Sequence, residues 1–173
     1  MSEQISAILN DFNGYLNGTD YLGVADVDLP DLASMTETIS GAGIPGEIDS
    51  PILGHFGSMT VTINWRVLER ANFKLARQEV HHLDFRGSIQ QIDKRNGTYD
   101  QVPVKVTIRG IPKNTSLGSL AKGSTMDNSN ELEVTYLKVM HDGETVVEID
   151  KFNYVCVIDG VDYLAKVRKN LGS

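Results

Sequence analysis

A mainly β fold, a barrel or sandwich with one flanking α-helix, is what the sequence predicts. Three observations predict it. Turn signals of the Asn-Gly and Asp-Gly type separate short apolar-bearing runs at Asn17-Gly18, Asn96-Gly97, Asp142-Gly143 and Asp159-Gly160. Several of those runs alternate apolar and polar residues, the period-2 signature of a half-buried strand. Only one stretch carries a helical period. The chain has 173 residues with 40% apolar and 23% charged side chains. Those values suit an ordinary globular body and exclude a disordered tail. The length predicts a single domain over 1–173.

The elements follow in order. Residues 13–30 hold two short strands around Asn17-Gly18, and Pro30 ends the second. Residues 39–57 contain Gly41, Gly43, Pro45, Gly46, Pro51, Gly54 and Gly57 and are read as a long loop. Loops of that length are uncommon in compact domains and are usually functional. Residues 58–65 form a strand with Met59, Val61, Ile63 and Trp65 on its apolar face. Residues 67–77 are the helix, with Val67, Leu68, Ala71 and Leu75 as its stripe. Residues 79–93 and 98–109 form a long hairpin turning at Lys94–Gly97. Pro103 places part of its second arm at an edge or bulge. Residues 110–130 are a polar connection with one helical turn at Leu117–Ala121. Residues 131–140 and 144–150 form another hairpin, and 152–158 is the last strand.

Charge is unevenly distributed. Residues 1–65 carry nine acids and no Lys or Arg, residues 66–129 carry a net +5, and residues 130–173 a net −3. The net charge of −7 argues against a protein that coats nucleic acid. These blocks either neutralise each other within one fold or leave one acidic and one basic face, which would suit a body that stacks on copies of itself, opposite patches meeting in a heterologous interface. No apolar run approaches the ~20 residues of a membrane span. The N-terminal residues lack the basic region of a signal peptide, so a soluble protein of a reducing cytoplasm is expected.

Catalytic and cofactor motifs are weak. Gly41-Ala42-Gly43-Ile44-Pro45-Gly46 matches G-x-G-x-x-G, but no buried strand precedes it and no helix follows, so a dinucleotide site is not expected. His81 and His82 are adjacent and would point to opposite strand faces, which does not suit one metal. Cys156 lies in an apolar strand and reads as an inert core thiol. Glu131 with Glu133, and Glu148 with Asp150, lie two residues apart and share strand faces. That spacing describes a solvated acidic face better than a catalytic pair, since a catalytic acid needs apolar walls. No catalytic residue, metal or cofactor is expected.

The two ends of the chain carry a more specific signal. Near the start stands Gly14-Tyr15-Leu16-Asn17-Gly18, then Tyr21, Gly23-Val24-Ala25, Val27, Leu29-Pro30 and Gly41-Ala42-Gly43. Near the end stand Asp142-Gly143-Glu144, Val146, Glu148-Ile149-Asp150, Asn153, Asp159-Gly160-Val161-Asp162, Leu164, Arg168 and Asn170-Leu171-Gly172. This ordered set resembles the major tail tube protein of contractile-tailed bacteriophages, a family that also serves R-type tail-like bacteriocins.

The resemblance implies a structural protein, not an enzyme. It implies six-membered rings stacked head to tail, with strands of neighbours joined into one continuous barrel around a lumen. Loop 39–57 then becomes the ring-to-ring contact, through Gly41, Gly43, Ile44, Pro45, Gly46, Ile52 and Leu53. Glu131, Glu133, Glu148 and Asp150 become candidates for an acidic lumen face. The implied partners are further copies of the chain, a sheath, a baseplate hub, a tape measure protein and a tail terminator. DNA or ions would pass without specific binding, and no membrane anchor is implied. The implied location is a virion tail or tail-like particle assembled in the host bacterial cytoplasm. A type VI secretion tube and a monomeric β-sandwich binding module are the alternatives.

Overall fold

The computed structural model describes residues 3–23 and 26–173. Strand β1 (Gln4–Leu16) turns at Asn17-Gly18, both with positive φ (54° and 79°), into β2 (Asp20–Leu22). β3 (Asp26–Asp28) is short. Among the described residues β4 (Ser34–Gly41) and β5 (Ile44–Phe56) pair only with each other. β6 (Thr60–Asn64) leads to helix α1 (Arg70–Leu75). The long strands β7 (His81–Asp93), β8 (Tyr99–Ser116) and β9 (Ser129–His141) follow. β10 (Glu144–Asp150), β11 (Val155–Ile158), β12 (Val161–Asp162) and helix α2 (Ala165–Leu171) complete the chain.

The main sheet runs β12-β11-β10-β9-β8-β7-β1-β2, antiparallel throughout. It branches at β9. The first half of β9 pairs with β6, which carries β3, and the second half pairs with β10. Register shifts where Thr135 is passed over between β8 and β9. Such a bulge bends a strand and re-aims its side chains. The alternation therefore changes phase: Leu132 and Val134 are buried before it, and Leu137 after it.

Met59, Val61, Ile63 and Trp65 are all buried, as their alternation predicts. They meet Leu83, Phe85, Val106, Ile108, Leu132, Val134 and Leu137 in one apolar cluster, joined by Leu75, Ile149, Cys156 and Leu164. A buried asparagine group completes this layer. Trp65 Nε1 donates to Asn130 Oδ1 at 2.9 Å, and Asn72 Nδ2 donates to the same oxygen. Asn130 Nδ2 in turn reaches the Asn72 carbonyl at 3.2 Å. Asn72 thereby ties α1 to β9.

Several sequence expectations need correction. Residues 39–57 are not a loop: they form most of the β4–β5 hairpin, whose glycines and prolines fall where a ribbon tolerates them. Ala42-Gly43 is the turn, and Pro45-Gly46 is passed over in the register between Glu47 and Ile44. In a two-stranded ribbon alternate backbone N–H groups point away from the partner, and a proline at such a position removes no ladder bond. The helix over 67–77 is shorter, Arg70–Leu75, because Val67 is exposed and the buried anchor is polar Asn72. There are two helices among the described residues rather than one. Leu117–Ala121 is not helical, and β8 runs on to Ser116. The last predicted strand begins at Val155, after a turn at 151–154. Pro103 does lie where β8 has β7 on one side but has outrun the β9 ladder, which starts at Val104.

Candidate functional site

The chain leaves three surfaces uncovered, and each follows from where its residues fall. The first is the β4–β5 ribbon. No residue of its two strands is buried, and all of β4 is exposed. Ile39 and Ile48 face each other across the ladder, 42% and 53% exposed, with Met35, Ile52 and Leu53 also open. The opposite face is polar: Thr38 Oγ1 donates to Asp49 Oδ1 at 2.8 Å. Glu37, Glu47 and Asp49 lie on the ribbon with no Lys or Arg among residues 34–56, and none of the three makes an ion pair among the described residues. A lone two-stranded hairpin is marginally stable in water, so such a ribbon gains from being covered. Gly41, Gly43, Ile44, Pro45 and Gly46 form its tip, and Ile52 and Leu53 lie toward its base.

The second surface is the outer edge of β1. Among the described residues β2 covers only 14–16 of β1, and residues 4–13 pair with β7 on one side alone. Ile5, Ile8 and Leu9 are exposed there. Beside them Leu9, Phe12, Val27, Leu29, Phe85, Gly87, Val104 and Val106 line an apolar groove of about 230 Å3. The sequence hid this strand. Ile5, Ile8, Leu9 and Phe12 are spaced like a helix face, and two register shifts, passing over Ala7 and Asn10, restore the strand.

The third surface is the polar face of the main sheet. Glu148 stands opposite Lys138, Lys138 opposite Thr107, Thr107 opposite Asp84 and Asp84 opposite Tyr15. In the next row Asp150, Tyr136, Arg109 and His82 are neighbours. Arg109 lies 4.2 Å over the Tyr136 ring and 3.6 Å from Asp150. Asp150 is nearly buried and also accepts from the Phe152 and Asn153 backbone amides and the Asn153 side chain. Glu133 accepts from Ser58 Oγ and from Lys113 Nζ at 3.1 Å. Burial pushes its carboxyl up, but the Ser58 hydroxyl, Lys113 and the charge of Lys151 outweigh that and hold it below the usual range. Glu131, between Thr62 and Asn114, has no cross-strand cation. The four acids therefore do not form a bare acidic patch.

The residues that could carry chemistry are dispersed. His81 is buried with Nε2 2.9 Å from the Arg77 carbonyl, while His82 is exposed on the other face. Cys156 is buried in the core, and burial raises its thiol pKa, with the charge of Asp162 adding to the rise. Gly41–Gly46 is a hairpin turn and bulge. Among the described residues no three His, Cys, Asp or Glu side chains converge as a metal site would need, and no helix is long and apolar enough to cross a membrane.

Comparison with known proteins bears on the family and the fold. The family model described as phage tail tube protein FII matches residues 6–172. The tail tube protein of Escherichia phage P2 is 30% identical over 170 residues, covering 92% of this chain and 94% of that protein. The fold is shared with solved contractile injection structures. One is the sheath/tube terminator of the extracellular system PVC, with a TM-score of 0.54 at 14% identity, covering 79% of this chain and 97% of that one. Another is the sheath-tube complex of the same system, with a TM-score of 0.52 at 15% identity over 75% and 88% of the two chains. A third is the baseplate of the anti-feeding prophage, with a TM-score of 0.53 at 10% identity over 79% and 96%.

Proposed function

The chain belongs to the phage tail tube protein FII family, and from that premise we propose that it is the repeating subunit of a hollow tube built of stacked six-membered rings. A tail tube protein is structural and catalyses nothing. The finer reading concerns how copies meet.

The observation that carries it is that two unlike surfaces are open at once. A dimer would cover a single self-complementary patch. A body with a free strand edge at β1 and a freestanding apolar ribbon at β4–β5 has two separate contacts to satisfy. Two heterologous contacts on one subunit generate a ring in one direction and a stack in the other. We assign the β1 edge and its groove to the ring, where a neighbour's strand would remove the exposed edge. We assign the ribbon, including Gly41, Gly43, Ile44, Pro45, Gly46, Ile52 and Leu53, to the next ring. Its acids would meet cations of the basic middle of the chain.

The polar face of the main sheet, with Glu131, Glu133, Glu148 and Asp150, is assigned to the lumen. A closed barrel of that many strands is too wide to fill with side chains and leaves an aqueous channel. DNA or ions would pass through it unbound. A sheath would surround the tube, and a baseplate hub, tape measure protein and terminator would meet its ends, in a tail or tail-like particle assembled in the bacterial cytoplasm.

Electron microscopy of the purified protein over a concentration series, with light scattering, tests this. Rings or hollow tubes are expected. A monomer at every concentration, with and without added tail baseplates, would overturn the proposal.

A further inference from the structure

We infer that the contact between Leu164 and Gly54 is the pivot that sets the angle of the β4–β5 ribbon, so that the C-terminal helix positions the stacking element. The inference rests on the reading of the ribbon as the inter-ring contact.

The ribbon touches the body at its base. Gly54 has φ +77°, and a Cβ built on it would lie 2.6 Å from Leu164 Cδ2 and 2.7 Å from Cγ. No side chain fits between them. Open space lies on both sides of this contact. One crevice, of about 220 Å3, is bordered by Phe56, Tyr154, Val155 and Leu164. The other, of about 210 Å3, is bordered by Ser34, Ile52, Cys156 and Tyr163. Gly54 belongs to the walls of both. β5 thus presses on Leu164 with a gap on either hand.

Leu164 itself is fixed. It is 4% exposed within the core and is the N-cap residue of α2. Asp162 Oδ1 accepts from its backbone amide at 3.1 Å. One turn on, Arg168 pairs with Asp162 and donates from Nη1 to the Tyr154 carbonyl at 2.7 Å. Arg168 therefore locks the helix, and the helix locks Leu164. A separate tether holds the ribbon's ends, with Gly57 N donating to the Ala33 carbonyl at 2.9 Å and Lys151 Nζ to the Gly57 carbonyl at 2.8 Å. The tether keeps the ribbon attached; the pivot decides where it points.

Cys156, the sole cysteine, borders the crevice beside β5 and is buried, so its labelling by a disulfide reagent reports a ribbon that rocks away. The test uses the full chain. Arg168→Gln should raise the Cys156 labelling rate about tenfold through local opening, while thermal melting of the body stays as in the parent. Tube yield at fixed concentration should fall. Gly54→Ala should lower tube yield, because the added Cβ overlaps Leu164 and φ +77° strains an alanine there. Parental labelling and parental tubes in Arg168→Gln would overturn the inference, as would parental tube yield in Gly54→Ala. A deletion of 41–53 separates the two readings. If it still yields tubes of normal length, the ribbon is not the stacking element, and the labelling rate of Arg168→Gln decides on the pivot by itself.

Discussion

Replacing Ile39 and Ile48 together by threonine tests the stacking assignment with little effect on the subunit. The two face each other on the ribbon and remain 42% and 53% exposed. Full burial of an isoleucine side chain stabilises by about 1.5–3 kcal/mol. About half of each is left to be covered, so a neighbouring ring that covers both gains about 2 kcal/mol per ribbon. Losing that lowers the stacking constant about 30-fold. Threonine is also β-branched and keeps the ribbon's strand preference. The pair lies outside the buried cluster, so the melting temperature of the subunit should move by less than about 2 °C. The assay is the concentration at which tubes first sediment. It should rise about 30-fold, since it is the reciprocal of the growth constant. An unchanged threshold would refute the assignment of the ribbon to stacking. A raised threshold with an equally large loss of subunit stability would refute the claim that the ribbon is independent of the core.

Asn130→Leu should cost about 2–4 kcal/mol in urea unfolding, because the buried Trp65 Nε1–H and Asn72 amide lose their shared acceptor. The Glu133 pKa is lowered on folding, so its contribution is fully present above the ordinary value of 4.5 and is lost as pH falls through the lower folded value. Melting of Glu133→Gln against the parent should therefore converge in acid and diverge toward neutrality. If ribbon acids meet cations of the next ring, tube formation should weaken as salt shortens the screening length from about 10 Å at 0.1 M to about 3 Å at 1 M. Light scattering that is indifferent to salt would leave apolar contacts alone to hold the stack.

Where alternation was strict, the structure was readable from the residues. Met59 to Trp65 and the arms around Lys94–Gly97 and Asp142-Gly143 needed no tertiary information, because a period of two and a positive-φ turn are local properties. The misreading of residues 39–57 has a physical cause, which is the bulge. On β1 the two skipped residues break the alternation, so residues 4–12 carry no period-2 signal. On β4–β5, turn and bulge glycines resembled a broken loop. A bulge is stabilised by the partner strand, and the partner is distant in sequence. Helix α2 has local signals of its own: Leu164 and Val167 lie three apart, Arg168 and Lys169 sit in the last turn, and Gly172 caps it in the left-handed conformation. The candidate surfaces were harder still. Exposure of Ile8 or Ile48 depends on which strands fail to cover them, and no pattern within one segment records that.

The cations facing three of the four acids, Glu133, Glu148 and Asp150, bear on the proposed conduit. A lumen of bare carboxylates would keep phosphates away by repulsion, and one of bare cations would hold them through counterion release. The polar face of the main sheet follows neither pattern. Glu148 faces Lys138, Asp150 faces Arg109, and Glu133 holds Lys113. Arg109 is further occupied by the ring of Tyr136, and Arg86 by Tyr15 at 4.7 Å. A cation already paired and stacked must give up those contacts before it can grip a phosphate. A channel lined by this face would therefore be slippery by local neutralisation rather than by net charge. Its side chains would also be held in place, which a tube pushed through an envelope requires of its wall.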